Sequence, residues 1–322
     1  MRPALRFVTR LKISVSTSSL SSPEDVSREI PTFSRSAAAF LMIYFTGMGK
    51  YLFFDVDRTL LDSRDLTVPH SAETALRMAA DNGHHLFLCT GRSVYSLKDL
   101  KELPIEGIIF CNGAGIELNG RVIRSRTIPE ETVRKTIGLA ERSRSGLLVQ
   151  GYERAWSDPI STARTEWIIE QKRQISEGAS QRVSTLLSGE PISAYDGSSV
   201  YKMDVYFEKE ADIEMFRREI DPSMSFICML STMGNRRNGG EITMPGVNKG
   251  GALKWLCTQL GADESDAYGF GDSLNDLAML EACGTGIAMG DGEAELKEKA
   301  DYITTGLHED GILNAMKHFG LI

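Results

Sequence analysis

Cysteine is scarce in this chain, and its placement excludes two kinds of site. The five cysteines among 322 residues stand singly, without a Cys-x-x-Cys pair or a cluster with histidine. Such spacing supports neither a zinc site nor a framework of disulfide bonds. We expect small buried thiols in a reducing compartment, which favours a cytoplasmic protein. The cysteines are Cys89, Cys111, Cys228, Cys257 and Cys283.

Long apolar runs and concentrated positive charge are missing as well. The longest uninterrupted apolar stretch spans residues 37–45, well short of the ~20 residues that a membrane-spanning helix needs. The 36 basic and 44 acidic side chains give a net charge of −8, and no basic block offsets it. We therefore expect neither a membrane nor a nucleic-acid partner. An acidic protein that handles an anionic substrate must gather positive charge locally, through a metal ion and a few placed cations.

Residues 1–47 differ in composition from the rest of the chain. They are rich in serine and contain no acidic residue before Glu24, while basic residues are spaced along the start. One interpretation is an organelle presequence, since such segments are rich in Arg and Ser and poor in acidic residues. The other is a disordered extension, or upstream sequence translated from a misplaced start, with Met48 as the true first residue.

From Lys50 onward, apolar strands alternate with helices, as is typical of an α/β fold with a parallel sheet. Ser71 is predicted to cap the first of these helices, and Asn119-Gly120 is a strong signal for a two-residue hairpin. Strands are predicted at residues 51–54, 85–89, 107–111, 267–270 and 285–289, and further helices at 93–100 and 249–260.

The middle of the chain interrupts this alternation. Residues 130–236 contain strand patterns at 200–207 and 226–230 and a helix pattern at 211–220. We predict one α/β core made of residues 48–129 and 237–322, with residues 130–236 inserted as an α+β module. About two domains also fit the length of the chain.

Chemically suited side chains follow the predicted strands of the core. Asp55 and Asp57 come directly after the first strand, Thr90-Gly91-Arg92 follows the second, and Asp272 follows a later one. Because ligands in open α/β sheets bind beyond the carboxyl ends of the strands, one pocket can hold all of them. Lys249 at the start of a helix and Asp276, one turn after Asp272, complete the set.

This set suits the transfer of a phosphoryl group. Asp55 as nucleophile would divide a difficult hydrolysis into two easier steps, and Asp57 would protonate the leaving group and then activate water. Mg²⁺ suits such a site because it takes hard oxygen ligands, with Asp272 as the natural second carboxylate. Lys249 would bind phosphate as a mobile point charge. Thr59 would fix the turn, Thr90 would donate to the phosphoryl group, and Asp276 would orient metal-bound water or Lys249.

Each piece alone is a weak signal. Asp-x-Asp turns are common, a lone Thr-Gly-Arg usually marks only a strand-to-helix turn, and Lys249 alone would be a solvated helix residue. The prediction depends on their order, since all of them follow apolar strands or open helices of one core.

These residues resemble the motifs of the haloacid dehalogenase superfamily, in its Cof-type subfamily IIB branch of sugar phosphatases. The likeness runs from about Lys50 to the C-terminus. It is carried by Phe-Phe-Asp55-Val-Asp57-Arg-Thr59, Leu-Cys-Thr90-Gly91-Arg92, Cys111-Asn112-Gly113-Ala114, Gly-Glu241-Ile-Thr-Met-Pro-Gly-Val-Asn-Lys249 and Gly-Asp272-Ser-Leu-Asn275-Asp276.

The resemblance implies a Rossmann-like core, with the inserted module as a mobile cap. It implies Mg²⁺ bound by Asp55, the backbone carbonyl of Asp57 and Asp272. By the same likeness Asn275 and Gly91 would contact the phosphoryl group or the substrate. The substrates would be sugar phosphates or other small phosphorylated metabolites.

One residue departs from the family pattern. Arg58 stands where Gly is usual in this branch, and at positive φ an arginine would be strained by about 1 kcal/mol or more. Arg58 is either a cation near the substrate mouth or a solvent-facing side chain. Arg92 either holds the loop after the second motif or lies at the surface.

Three other functions stay open at this point. A phosphohexomutase related to phosphomannomutase would use the same core and keep the phosphate on its product. A phospho-accepting signalling domain also uses acidic residues, Mg²⁺ and a lysine, but it needs neither Asp57 nor a long insertion. A non-catalytic phosphate-binding module has only Arg58 in its favour. The sequence does not decide between a monomer and a homodimer.

Overall fold

Two β-sheets organise the part of the chain that the structure describes. The computed structural model describes residues 49–322 apart from residues 63, 176–177, 180–188 and 231–236. The predicted presequence or extension at residues 1–47 lies outside this range. The strands are β1 (Tyr51–Phe54), β2 (His85–Cys89), β3 (Gly107–Phe110), β4 (Gly115–Leu118), β5 (Arg121–Ser125), β6 (Gly146–Gln150), β7 (Ala155–Ser157), β8 (Glu190–Pro191), β9 (Lys202–Tyr206), β10 (Ser225–Leu230), β11 (Arg237–Thr243), β12 (Ala267–Gly271), β13 (Thr285–Ala288) and β14 (Tyr302–Ile303).

The helices flank these strands. In the described residues they are α1 (His70–Asp81), α2 (Glu130–Ser143), α3 (Pro159–Arg173), α4 (Glu210–Glu219), α5 (Lys249–Leu260), α6 (Leu277–Leu280), α7 (Ala294–Lys297) and α8 (Gly311–His318). None of them combines the length and the apolar character that crossing a bilayer requires.

The first sheet confirms the predicted α/β class. Its eight strands lie in the order β14-β13-β12-β1-β2-β3-β4-β5. The six strands from β14 to β3 run parallel, and β4 and β5 add an antiparallel hairpin. Strand β1 therefore lies between β12 and β2, with Phe54 in register with Phe270 and with Leu88.

Both faces of this sheet are covered. Successive side chains of a strand point to opposite faces, and all of β1 is buried. Leu52 belongs to an apolar cluster with Leu76 of α1 and Ile312 of α8, whereas Phe53 packs with Leu256 of α5 on the other side. A strand that is buried on both faces has a continuous apolar sequence, and this pattern predicted the strand at residues 51–54.

Two local predictions are wrong. Ser71 does not cap α1, because the helix begins at His70 after Pro69 and has no side-chain cap. The helix predicted at residues 93–100 is replaced by two short 3₁₀ segments, Val94–Ser96 and Lys98–Leu100. Ser93 is buried there and its hydroxyl donates to the Gly151 carbonyl, so a tertiary contact overrides the local preference.

The hairpin prediction is confirmed. Asn119 and Gly120 join β4 to β5 with φ values of 50° and 75°. Two successive positive φ angles define the type I′ turn that an Asn-Gly pair favours.

The second sheet contains six strands in the order β10-β11-β9-β6-β7-β8. Neighbouring strands are antiparallel except β7 and β8. Strand β11 (Arg237–Thr243) belongs to this sheet, so the chain leaves it after Thr243. Helices α2 and α4 cover one face through an apolar cluster that includes Val133 and Phe216. The opposite face of the second sheet contacts a loop of the first sheet. There Asn112 Nδ2, in the loop after β3, donates to Glu241 of β11 at 2.9 Å.

Candidate active site

Two buried carboxylates lie side by side at one edge of the first sheet. Asp55 follows β1 and Asp272 follows β12, its parallel neighbour, and the Asp55 N–H donates to the Phe270 carbonyl at 2.9 Å. Asp55 is 4 % exposed and Asp272 is 2 % exposed. The register of β1 and β12 thus brings together residues that are more than two hundred positions apart in the sequence.

Lys249 lies between two carboxylates. Its ammonium is 2.5 Å from Asp55 Oδ1 and 2.5 Å from Asp276 Oδ1, and the residue is 1 % exposed. Helix α5 starts at Lys249, with the Asn248 side chain accepting from the Gly251 N–H at 2.7 Å. Burial alone would lower the pKa of Lys249, but the two carboxylates outweigh it and raise the pKa. The predicted mobile charge is therefore a fixed ammonium.

Asp276 holds the loop that carries Asp272. Its Oδ2 accepts from the N–H groups of Asp272 at 3.0 Å and Ser273 at 3.2 Å, while its Oδ1 accepts from Lys249. Both oxygens of Asp276 are thus already occupied, and the structure favours its predicted role toward Lys249.

The oxygens that stay available suit a hard cation. Asp55, Asp272 and Asp276 have carboxylate oxygens within 4.8 Å of one another, and since both oxygens of Asp276 already accept hydrogen bonds, Asp55 and Asp272 are the two that could bind an ion. Asp272 Oδ2 is buried without a hydrogen-bond partner. Burial, and then the charge of Asp276, raise the pKa of Asp272 to about 7. Asp55 also has its pKa raised well above the ordinary value, by burial first and by Asp276 next, despite the opposing charge of Lys249. These three carboxylates outnumber the two neighbouring cations, Lys249 and Arg58, and a divalent cation would supply further positive charge.

Asp57 is paired with Arg92. The Arg92 Nε donates to Asp57 Oδ2 at 2.8 Å, and Nη2 lies 2.5 Å from Oδ1. Burial acts to raise the pKa of Asp57, but the guanidinium outweighs it and the pKa is lowered. Arg92 therefore does more than hold a loop or lie at the surface: it keeps Asp57 ionised in this conformation.

Arg58 faces Asp272. Its backbone has φ of 64°, in the left-handed region. Its Nη1 lies 3.3 Å from Asp272 Oδ2 and its Nη2 donates to the Asp291 carbonyl at 3.1 Å. The side chain is 46 % exposed, so Arg58 is neither a purely solvent-facing residue nor a buried one.

The remaining predicted residues surround these groups. Thr59 and Thr90 are buried, and Thr59 Oγ1 has no hydrogen-bond partner. Thr90 Oγ1 accepts from the Arg92 N–H at 3.1 Å. A Cβ at Gly91 would lie 3.0 Å from Asn112 Oδ1. Asn275 is exposed and accepts from the Ser273 hydroxyl at 2.6 Å.

Sequence reasoning assigned no role to Lys202 and Asp204. Both are buried on β9, and the Lys202 ammonium lies 3.3 Å from Asp204 Oδ1 and 2.8 Å from Glu241 Oε1. A signal was present, because charged residues alternate with Met203 and Val205 in a predicted strand. The alternation alone does not show which residues contact the charged face of the strand.

Comparisons with known proteins agree with this geometry. Residues 52–316 match the model of the haloacid dehalogenase-like hydrolase family. The chain is 29 % identical over 279 residues to putative phosphatase YkrA of Bacillus subtilis (strain 168), covering 85 % of this chain and 98 % of that protein. It is 24 % identical to 5-amino-6-(5-phospho-D-ribitylamino)uracil phosphatase YcsE of the same organism, covering 84 % and 96 %.

A solved structure shows the same likeness. The subclass IIB sugar phosphatase BT4131 superposes with a TM-score of 0.67 at 26 % sequence identity, covering 85 % of this chain and all of that one.

Proposed function

The chain belongs to the haloacid dehalogenase-like hydrolase family and is a phosphatase, and on this premise we propose that it is Mg²⁺-dependent and acts through an aspartyl-phosphate formed on Asp55. We propose small phosphorylated metabolites as substrates, sugar phosphates among them. The relatives named as phosphatases favour this function over a signalling domain or a non-catalytic binding module.

One observation carries the proposal. Asp55 and Asp272 lie together in a buried site in which Asp276 and Lys249 fix the geometry and Asp272 Oδ2 has no hydrogen-bond partner. Asp55, the Asp57 carbonyl and Asp272 would hold Mg²⁺, which when bound supplies positive charge to the phosphoryl oxygens. A phosphate dianion is otherwise repelled by such a group of carboxylates.

Asp55 is the nucleophile in this proposal. Its carboxylate oxygen attacks phosphorus, the bond from phosphorus to the ester oxygen breaks, and that oxygen leaves with a proton. Lys249 is positioned 2.5 Å from Asp55 Oδ1 to neutralise the carboxylate and orient it. Thr59, Thr90, Gly91 and Asn275 would contact the phosphoryl oxygens in this proposal. Water then attacks the phosphorus of the intermediate and restores the Asp55 carboxylate.

Asp57 is the acid and then the base. Its pairing with Arg92 keeps it ionised in this conformation, which suits removal of a proton from the attacking water. Donating a proton to the leaving group requires the opposite state, so Arg92 would have to release Asp57 when substrate binds.

The two-part division of the chain is also a proposal. Strand β11 lies in the second sheet, so we extend the cap from residue 130 to residue 243 instead of ending it at 236. The core is then residues 49–129 and 244–322, and its site lies below the polar face of the cap sheet.

Phosphate release from p-nitrophenyl phosphate tests the proposal. It would be measured for protein beginning at Met48 with Mg²⁺, with EDTA, and as Asp55→Asn. We expect release only from the unmodified enzyme with Mg²⁺, while Asp81→Asn, an exposed residue at the end of α1, keeps full activity. Phosphate release that persists with EDTA and in Asp55→Asn would contradict both the proposed Mg²⁺ dependence and the proposed aspartyl-phosphate.

A further inference from the structure

In the described part of the chain, three of the four strands at the sheet edges are protected against pairing with another chain. An edge strand presents unpaired N–H and C=O groups, and proteins commonly protect it by shortness, charge or proline. Strands β14 and β8 are two residues long, and β8 contains Pro191. Strand β5 carries Arg121 and Arg124. None of these three edges offers a long neutral strand to a partner.

Strand β10, the fourth edge, lacks this protection along most of its length. Its sequence at Ser225–Leu230 is Ser-Phe-Ile-Cys-Met-Leu, with no charged residue and no proline. The shift of its register against β11 falls between Met229 and Leu230, at the end of the strand. Within the described residues, β10 pairs on one side alone, with β11. An apolar edge of this length is a template for a further strand.

Ile227, in the middle of β10, is the most exposed large apolar side chain of the described residues, at 55 %. It lies directly opposite Glu241 of β11, so both side chains are on the same face of the sheet. Its neighbours Phe226 and Cys228 point to the other face and pack against the apolar cluster beneath α2 and α4. Ile227 therefore adds exposed apolar area at the centre of an unpaired edge.

Symmetry restricts how a second copy of the chain can pair with this edge. A two-fold axis perpendicular to the sheet makes the two β10 strands antiparallel and gives both copies the same contact. Directly opposite residues point to the same face, so the axis passes through a residue, which then meets its own copy. An axis through Ile227 brings the two exposed isoleucines together and places Phe226 opposite Cys228 on the other face.

The charges beside β10 also suit a second copy. On α4, Arg217 lies above the strand, because its Nη2 donates to Cys228 Sγ at 2.7 Å and its guanidinium lies 5.4 Å from the centroid of the Phe226 ring. Glu214, one turn earlier, is 3.5 Å from Arg217 Nη1. Two such pairs form a neutral group of two acids and two bases. The contact thus opposes no like net charges, although the whole chain carries a charge of −8.

We propose that β10 pairs with β10 of a second copy of this chain, so that a homodimer joins their two six-stranded sheets. The two-fold axis passes through Ile227. Pairing satisfies the free backbone groups of both edges and buries both isoleucines. A strand of another protein would bond the same backbone groups, but nothing at this edge specifies its sequence, whereas a second copy matches Ile227 with itself and keeps the charges balanced.

Sedimentation velocity of the full chain over a range of concentrations tests the dimer. We expect a particle of twice the 35.5 kDa chain mass at high concentration. Ile227→Lys should raise the Kd of the dimer by about a hundredfold or more, because like charges that face each other across an interface strongly oppose association.

Ile303→Lys is the matched control for Ile227→Lys. Ile303 is 50 % exposed on the edge strand β14, so this variant should change the Kd by no more than about twofold. Circular dichroism below the Kd should show that both variants are folded, since both side chains are exposed in a single copy.

Amide hydrogen exchange of the full chain shows whether β10 itself forms the contact. In a single copy, the N–H groups of β10 that point away from β11 exchange readily, and pairing with a second copy protects them. We expect exchange at Ser225–Leu230 to slow by about tenfold or more as the concentration rises through the Kd. Exchange in β5, the other long edge strand, should stay the same.

Two results would overturn the proposal. One is a full chain that sediments as a monomer at every concentration, as expected if Ile227 contacts solvent, a bound substrate or a strand of another protein. The other is a dimer that Ile227→Lys does not weaken or in which exchange of β10 is independent of concentration, which would place the contact elsewhere. The exchange measurement needs no variant, so it decides the question even if Ile227→Lys does not fold. Phosphate release tests the proposed function separately, so either proposal can fail alone.

Discussion

The Arg58 guanidinium lies 3.3 Å from Asp272 Oδ2, on the carboxylate that is proposed to bind the metal. The backbone at Arg58 has φ of 64°, a conformation that favours glycine or asparagine. The chain thus places a guanidinium beside a proposed metal ligand, where it would compete with the ion for the Asp272 carboxylate.

Replacing Arg58 should therefore tighten metal binding. Arg58→Asn tolerates the left-handed backbone and removes the cation. A half-exposed ion pair is worth about 0.2–1 kcal/mol, so the Kd for Mg²⁺ should fall by about 1.4- to fivefold. Isothermal titration calorimetry measures this without any turnover.

Arg64→Asn is the control for this titration, because Arg64 pairs with Asp62 instead of Asp272. It should leave the Kd for Mg²⁺ unchanged. If Arg58→Asn binds Mg²⁺ no more tightly than Arg64→Asn does, Arg58 does not compete with the ion.

Removing Lys249 should cost stability as well as activity. Lys249→Met leaves Asp55 and Asp276 buried without their shared cation. Breaking a buried ion pair on one side typically destabilises a protein by about 3–5 kcal/mol, and we expect urea unfolding to show a loss of that order. Phosphate release should be abolished.

Lys254→Met, on the same helix, is the comparison for Lys249→Met. Among the described residues, the Lys254 ammonium has an exposed ion pair of 4.0 Å with Glu264, and surface pairs contribute at most about 1 kcal/mol. Equal stabilities of the two variants would mean that the Asp55 and Asp276 carboxylates do not depend on Lys249.

Gly113 should tolerate no side chain. Its φ is 100°, and a Cβ there would lie 2.4 Å from the Asn248 carbonyl oxygen. Asn248 precedes Lys249, so a shift at this contact would also displace the Lys249 ammonium. We expect Gly113→Ala to cost about 2–4 kcal/mol in unfolding free energy, from strain and overpacking together, and to reduce kcat.

Gly120→Ala separates the backbone strain from the overpacking. Gly120 also has positive φ, at 75°, but nothing lies within 4 Å of the added Cβ. It should cost about 1 kcal/mol from strain alone. A similar loss for both variants would show that the contact with Asn248 relaxes easily.

His84 should make stability depend on pH. The Lys50 N–H donates to His84 Nδ1 at 3.0 Å, so the ring proton lies on Nε2, 3.0 Å from the Leu321 carbonyl oxygen. Burial is the main cause that lowers the pKa of His84. The unfolded chain, with a pKa of about 6.5, then binds more protons than the folded one just below that pH. Stability is present above pH 6.5 and is lost as the pH falls toward the folded pKa.

Urea unfolding between pH 5 and pH 8 measures this effect. His84→Gln should flatten the pH dependence, whereas His70→Gln, at the exposed start of α1, should not. An unchanged slope for His84→Gln would assign the pH dependence to other groups.

The sequence predicted those parts of the fold that depend on neighbours along the chain. Buried strands such as Tyr51–Phe54 and turns such as Asn119-Gly120 have local signatures, and the structure confirms both. The helix predicted at residues 93–100 failed because Ser93 bonds to Gly151, which is 58 positions away. No local pattern contains that information.

The site divides in the same way. Asp55 and Asp272 were identified because each follows a recognisable strand. That Lys249 is buried between Asp55 and Asp276, and that Arg92 holds Asp57, depends on pairings between distant segments. The positions of Lys202 and Asp204 could not be predicted, because they depend on the register of β9 against β6 and β11.

Strand β9 has an apolar face and a charged face within one short segment. Met203 and Val205 contribute to the apolar cluster beneath α2 and α4, while Lys202 and Asp204, beside and between them, form a buried polar network with Gln150 and Glu241. A substitution at one of the charged positions can alter the polar face of this sheet while the packing beneath α2 and α4 stays intact. The polar face can therefore change one residue at a time, on a scaffold that need not change.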